Sequence, residues 1–266
     1  MDSGTIAVCT PPFQRLRENV PRPTTISIDL DALSLNAAAT RSLAGNRRIL
    51  ASVKANAYGH GMIRCGQKLS EFVDGFAVAF CEEAVALREA GIELPILVLE
   101  GPFDRCDVDT VYEYGLMMTV HCHRQIDLVK QSSHPLTTPV WIKVDSGMHR
   151  LGFNPAEAPQ IEKRLRELGA ESTTLISHYA DGEHAHSAIT QKQQRVWQAL
   201  KKTTLSQTSM ANSAGVINDL DTASTWVRPG IMLYGAAHAA TETSPPLEPV
   251  MTFTSEVMAL RNIAAG

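Results

Sequence analysis

Eight short apolar runs recur along the chain: "RRILASVK", "GFAVAF", "LPILVLE", "GLMMTVHC", "TPVWIKVD", "STTLISHY", "TSMANS" and "WVRPGIMLYG". Helix-length segments lie between most of them, among them "CEEAVALREAG", "RQIDLVKQ", "APQIEKRLRELG" and "AITQKQQRVWQALKK", each with apolar residues near helical spacing. Strands separated by helices cannot pair through tight hairpins, so they pair in parallel. Alternation carried through eight strands predicts an α/β fold, a parallel sheet closed into a TIM-type (β/α)8 barrel. An open doubly wound sheet is the alternative. Ahead of the repeats, "TTISIDL" reads as a strand and "DALSLNAAATRSLA" as a helix, with Asp31 as cap and Gly45 as stop.

Pro11, Pro12, Pro21 and Pro23 interrupt any regular element, so residues 1–23 are expected to form an N-terminal arm. The barrel is expected over 24–240, followed by a linker and one further strand over 241–266. At 266 residues and 44% apolar the chain is large enough for such a core. A net charge of −4 gives no electrostatic reason to bind nucleic acid or an anionic membrane. No apolar run reaches membrane-spanning length, and the opening residues lack the pattern of a signal peptide, which predicts a cytoplasmic protein. Five cysteines without CxxC spacing argue against a disulfide framework or zinc knuckle. The "HCH" pair His121 and His123, expected on one strand face, and the "EHAH" pair His184 and His186 lack further ligands, so no metal is expected. The alternating charges of "IEKRLRELGAE" read as a solvated helix face.

Barrels collect their chemistry where the βα loops converge beyond the strands' C-terminal ends. The polar residues at those positions are Lys54 and Tyr58; Lys143, Asp145 and Arg150; His178 and Tyr179; Asn212 and Ser213; and Arg228 with Gly230 and Ile231. Lys54 is either a snorkelling surface group or a nucleophile whose free amine, favoured by nearby cations, forms a Schiff base with a carbonyl. In "RPGIMLYG" the amides after Pro229 can donate to an anion and Gly230 allows close approach, with Asn212 and Ser213 adjoining. Lysine and phosphate site together suit pyridoxal phosphate or the phosphorylated substrate of an aldolase.

In this order, "KANAYGHG", "VDSGMHRLG", "SHYADGE", "ANSAG" and "RPGIMLYG" resemble the alanine racemases, fold-type III pyridoxal phosphate enzymes. The resemblance implies Lys54 as the cofactor-bearing and catalytic lysine, Tyr58 as a phosphate contact, and His178 facing the cofactor ring. It also implies Asn212, Ser213, Gly230 and Ile231 around the phosphate, Arg228 opposite the pyridine nitrogen and Arg150 near the phenolic oxygen. Lys143 matches a lysine that is carbamylated in some relatives. A guanidinium accepts no proton, so Arg228 would keep the ring a weak electron sink and favour racemisation over transamination. The implied activity interconverts L- and D-alanine, supplying D-alanine for peptidoglycan, with a homodimer as the full-length form. The family's second base is a tyrosine from the partner's C-terminal β domain. "VMTFTSEVMALRNIAAG" resembles only that domain's opening strand, "TTISIDL" is expected to pair with the same domain, and neither Tyr179 nor Tyr234 fits the tyrosine's motif. The chain by itself is accordingly expected to be a truncated form lacking a base. A non-catalytic pyridoxal phosphate homeostasis protein is the alternative; a decarboxylase or D-amino acid aldolase is disfavoured by Arg228.

Overall fold

In β2 (Arg48–Ser52) the apolar run "ILA" is divided by the period-two geometry of a strand: Leu50 points into the barrel, while Ile49 and Ala51 face the surrounding helices. The same division repeats in β3 (Gly75–Val78), β4 (Ile96–Val98), β5 (Met117–Val120), β6 (Val140–Lys143) and β7 (Thr173–Ile176). It explains why these strands are almost continuously apolar: both of their faces are buried. β8 (Gln207–Ser209) and β9 (Trp226–Val227) complete the set, and all neighbours pair in parallel. Closure is direct, with Arg48 and Ile49 in register with Trp226 and Val227. The expected closed (β/α)8 barrel is the observed one.

The computed structural model describes residues 23–204, 206–236 and 246–264. All but Pro23 of the expected N-terminal arm, Cys9 included, lies outside the described residues, as does the expected barrel-to-linker boundary at 240/241. One compact unit runs from Ile28 to Met251. A separate small unit holds most of a two-stranded sheet of β1 (Thr25–Ile28) and β10 (Met251–Thr254), in which the Thr25 and Thr254 hydroxyls meet at 2.6 Å.

The helices are α1 (Leu30–Ala44), a left-handed turn α2 (Lys54–Tyr58), α3 (Met62–Leu69), α4 (Cys81–Glu89), α5 (Arg105–Glu113), α6 (His123–Gln131), α7 (Ala158–Glu167), α8 (Ala188–Lys201) and α9 (Ser213–Ile217). Among the described residues the helical element after β9 is a 3₁₀ turn, Ile231–Tyr234, and α1 packs against it, α3 and α9. The helical layer is thus completed from the N-terminal side. Asp29, not Asp31, caps α1: its carboxylate accepts the amides of Asp31 and Ala32, which places Asp31 inside the first turn. Gly45 ends the helix at φ 57°, as its sequence position predicts.

Two further expectations change. His121 and His123 do not share a strand face, because β5 ends at Val120 and His123 opens α6, where its Nε2 meets Glu157 at 3.3 Å. The charged face of α7 is not wholly solvated either. Glu162 is buried and accepts from Arg166 one turn on in the same helix and from the hydroxyls of Ser206, Thr204 and Thr173, which tertiary packing brings to it.

Inside the barrel the Trp141 and Trp226 rings lie 5.7 Å apart, and the Arg48 guanidinium sits 4.1 Å over Trp226. These groups fill the end at which the strands begin, leaving open space at the opposite mouth.

Candidate active site

Lys54 follows β2 and Val53 directly, and the chain then turns left-handed through Ala55, Asn56, Ala57 and Tyr58, with φ between 52° and 55°. This turn lays Tyr58 across the mouth. Its ring stands 5.1 Å from that of Tyr234, and the imidazole of His60 stacks on Tyr234 from 4.5 Å. Tyr58 Oη comes so near Gly230 that a Cβ there would stand 2.5 Å from it, so any larger residue would force the tyrosine ring to shift.

The loops after β8 and β9 interlock at Ser213. Its Oγ accepts from the Gly230 amide at 2.9 Å and the Met232 amide at 3.2 Å. The Gly230 amide therefore donates within the protein. Asn212 caps α9 by accepting the Gly215 amide, which turns its Nδ2 toward His178 Nε2 at 3.5 Å.

Arg228 is buried at the centre. Nη1 donates to Ser209 Oγ and Nη2 to the Ser177 carbonyl, both at 2.5 Å, and Nη2 lies 3.4 Å from His178 Nδ1. Among the described residues no carboxylate forms an ion pair with it. Burial lowers its pKa to about 10, against a smaller opposing pull from Asp221. His178 has nitrogen donors facing both ring nitrogens; burial first, then Arg228, Lys143, Arg150 and Lys54, hold its pKa well below the ordinary imidazole value. It is neutral at physiological pH.

Lys143 ends β6. Burial, followed by the charges of Arg228 and Arg150, lowers it to about 8, with Glu100 and Asp145 pulling the other way. Arg150 comes from a loop stapled by Asp145, whose Oδ1 accepts the amides of Gly147 and His149 and whose Oδ2 meets His149 Nδ1 at 2.9 Å. Burial alone would raise the Asp145 pKa, but those hydrogen bonds and the histidine bring it below the usual carboxylate value.

Of the twelve strand-end positions singled out from sequence, ten, Lys54, Tyr58, Lys143, Arg150, His178, Asn212, Ser213, Arg228, Gly230 and Ile231, line one cavity of about 180 Å³; Asp145, which staples the Arg150 loop, and Tyr179 do not. Tyr179 and Tyr234 do not offer free hydroxyls to it: one donates to the Leu220 carbonyl, the other to that of Ser52. Burial raises both phenols above their ordinary pKa.

Sequence reasoning missed Gln193, fully buried on α8. It donates to Ser146 Oγ and the His178 carbonyl and accepts the Ala180 amide, tying the loops after β6 and β7 together. A glutamine within a polar helix carries no signal of such a role. Glu83 was missed too, although a glutamate in the first turn of a helix is a visible capping signal.

The fold and the mouth define a parallel (β/α)8 barrel with a lysine-bearing, cation-rich cavity. Residues 28–238 match the family model for the alanine racemase N-terminal domain, and the chain belongs to that family. It is 43% identical over 246 residues to an alanine racemase of Azoarcus sp., covering 92% of this chain and 69% of the relative. It is 40% identical over 250 residues to the catabolic alanine racemase of Pseudomonas putida, with the same coverage. Among solved structures, the biosynthetic alanine racemase of Pseudomonas aeruginosa superposes with a TM-score of 0.87 at 35% identity, covering 92% of this chain and 69% of that one. That from Acinetobacter baumannii gives 0.83 at 35% identity, with coverage of 91% and 73%.

Proposed function

We propose that this chain binds pyridoxal 5′-phosphate through Lys54 and carries the barrel half of an alanine racemase, a cytoplasmic enzyme, dimeric at full length, that supplies D-alanine for peptidoglycan. The observation that carries the reading is the cavity's charge. Four cations, Lys54, Lys143, Arg150 and Arg228, line it with only the carboxylates of Glu100 and Glu183, and Arg228 is buried without an ion-pair partner among the described residues. Such a site suits a small dianion bearing a carbonyl within reach of an amine.

When bound, the cofactor supplies an aldehyde that condenses with amines and a ring that accommodates charge developing at the substrate's α-carbon. Tyr58, Asn212, Ser213 and Ile231 would hold the phosphate, and Gly230, its amide already bonded to Ser213, would leave room for it to approach. Arg228 would face the ring nitrogen; being a guanidinium it offers no acceptor, and its hydrogen bonds to Ser209 and Ser177 fix its plane. His178, held neutral, offers an aromatic face without a competing charge. Arg150 and Lys143 place positive potential on the side away from the phosphate residues, and the near-neutral pKa of Lys143 makes its amine available for carbamylation. Lys54 Nζ would remove or return the α-proton on its own face of the substrate. The opposite face needs a second base, and neither Tyr179 nor Tyr234 has a hydroxyl to give.

The test is reduction with borohydride in the presence of pyridoxal 5′-phosphate, followed by peptide mapping, beside chiral analysis of alanine. Label on Lys54 supports the reading; label confined to other lysines sinks it. Label at Lys54 with neither α-proton exchange nor racemisation in any form of the protein would select a cofactor carrier instead.

A further inference from the structure

Ala55, Asn56, Ala57 and Tyr58 are four consecutive non-glycine residues in the left-handed region, at φ 52°, 54°, 55° and 53°. There each Cβ crowds the following carbonyl, so L-residues visit this region singly and a run of four does not persist on local preference. Bonds within the turn, such as Ala57 N–H to the Val53 carbonyl at 2.8 Å, satisfy its backbone without removing the crowding. Side chains hold it as well: His60 Nδ1 meets the Ala57 carbonyl at 2.9 Å and the Tyr58 carbonyl at 3.2 Å, and two contacts engage backbone N–H groups. Asn56 Oδ1 accepts the Met62 amide at 2.8 Å, and Glu83 Oε1 accepts the Ala55 amide at 2.6 Å. The second oxygen of Glu83 accepts the Ala79 amide at 2.7 Å.

The bond to Ala79 is local: it ties the glutamate, in the first turn of α4, to the residue just before the N-cap Phe80. The bond to Ala55 serves no part of α4. It reaches from the loop after β3 to the loop after β2, and ends on the residue next to Lys54. We propose that Glu83 is a positioning residue for Lys54: its carboxylate locks the left-handed turn and thereby sets where the lysine amine stands in the cavity. This rests on reading Lys54 as the cofactor lysine. The clamp uses both oxygens, so neutralising one of them breaks it. Glu83→Gln keeps the shape but presents an amide NH₂ to one of the two backbone N–H groups.

Relief of the crowding supplies the decisive control. Ala55 is exposed, and glycine there keeps the N–H while removing the Cβ that makes the conformation unfavourable. One left-handed L-residue corresponds to roughly a tenfold shift in the turn's population. Two readouts follow on the 266-residue chain: amide hydrogen exchange of the peptide spanning 55–61 without cofactor, and the rate at which pyridoxal 5′-phosphate becomes fixable to Lys54 by borohydride. Glu83→Gln should speed the exchange and slow the attachment, each by about tenfold. Glu83→Gln with Ala55→Gly should regain most of the attachment rate, which a general loss of stability would not. Glu83→Asp, drawing the carboxylate back by one methylene, should give smaller effects in the same direction and serves if the glutamine variant does not fold. Unchanged exchange in 55–61, or slowed attachment that Ala55→Gly fails to rescue, overturns the proposal. A wild-type chain labelled away from Lys54 sinks the functional reading instead, while the exchange measurement still decides whether Glu83 holds the turn.

Discussion

Replacing Lys143 by Met should stabilise the protein at neutral pH and cease to do so in alkali. Lys143 is drawn into the barrel mouth beside Arg228 and Arg150, and burial with those two cations takes its pKa from 10.5 to about 8. Below pH 8 the lysine is charged in both folded and unfolded chains, and the fold bears the full cost of holding that charge. Between about 8 and 10.5 the unfolded chain keeps the proton that the folded chain has lost, so rising pH favours the fold. Above 10.5 the amine is neutral in both and the cost is gone. At about 1.4 kcal/mol per pH unit the penalty is at most about 3.5 kcal/mol. Methionine matches the lysine stem in volume and carries no charge, so Lys143→Met should raise the melting temperature at pH 7 by roughly 5–10 °C. The assay is thermal unfolding followed by circular dichroism from pH 6 to 11, in CO₂-free buffer so that the amine is not carbamylated. The wild-type and Lys143→Met curves should converge as pH climbs through the 8–10.5 window. No gain at pH 7, or a gain undiminished at pH 11, would refute the view that burying the Lys143 charge beside two cations strains the mouth.

Arg228→Glu replaces a cation beside His178 with an anion, so the histidine should titrate at higher pH by NMR, and pyruvate formed per racemisation event should rise in a form of the protein that racemises; an unmoved His178 resonance argues against the placement. Gly230→Ala sets a methyl 2.5 Å from Tyr58 Oη and should weaken pyridoxal 5′-phosphate binding about tenfold, at an overpacking cost of roughly 1–3 kcal/mol, read by absorbance titration; wild-type affinity would mean that Tyr58 takes no part. Because the hydroxyls of Tyr179 and Tyr234 are engaged by backbone carbonyls, the 266-residue chain should exchange the α-proton of one alanine enantiomer with deuterated solvent far faster than it interconverts the two. A well-placed proton-transfer group contributes roughly 10²–10⁴-fold, so equal exchange and racemisation rates would point to a second base within the barrel.

The barrel was legible in the chain because its signal is local and repeated: apolar runs of strand length, each followed by a helical pattern, report burial on both faces wherever they occur. Ten mouth residues were legible for a related reason, since a parallel barrel brings every strand's C-terminal end to the same face, although the same positional rule also picked Asp145 and Tyr179, which do not line the cavity. The family motifs, not their chemistry alone, assigned them roles. Tertiary structure decided whatever depends on one backbone group meeting another across loops. The cap of α1 is local, and the sequence offered two neighbouring aspartates for it, of which Asp29 serves; Glu162, by contrast, is met by hydroxyls from distant segments. Gln193 and Glu83 act on amides and carbonyls of other loops, partners that every residue possesses and that no side-chain pattern records. The left-handed path of Ala55 to Tyr58 is the clearest case. Alanine, asparagine and tyrosine do not choose that conformation by themselves, and contacts such as that of Glu83, from the helix after the neighbouring strand, hold them in it.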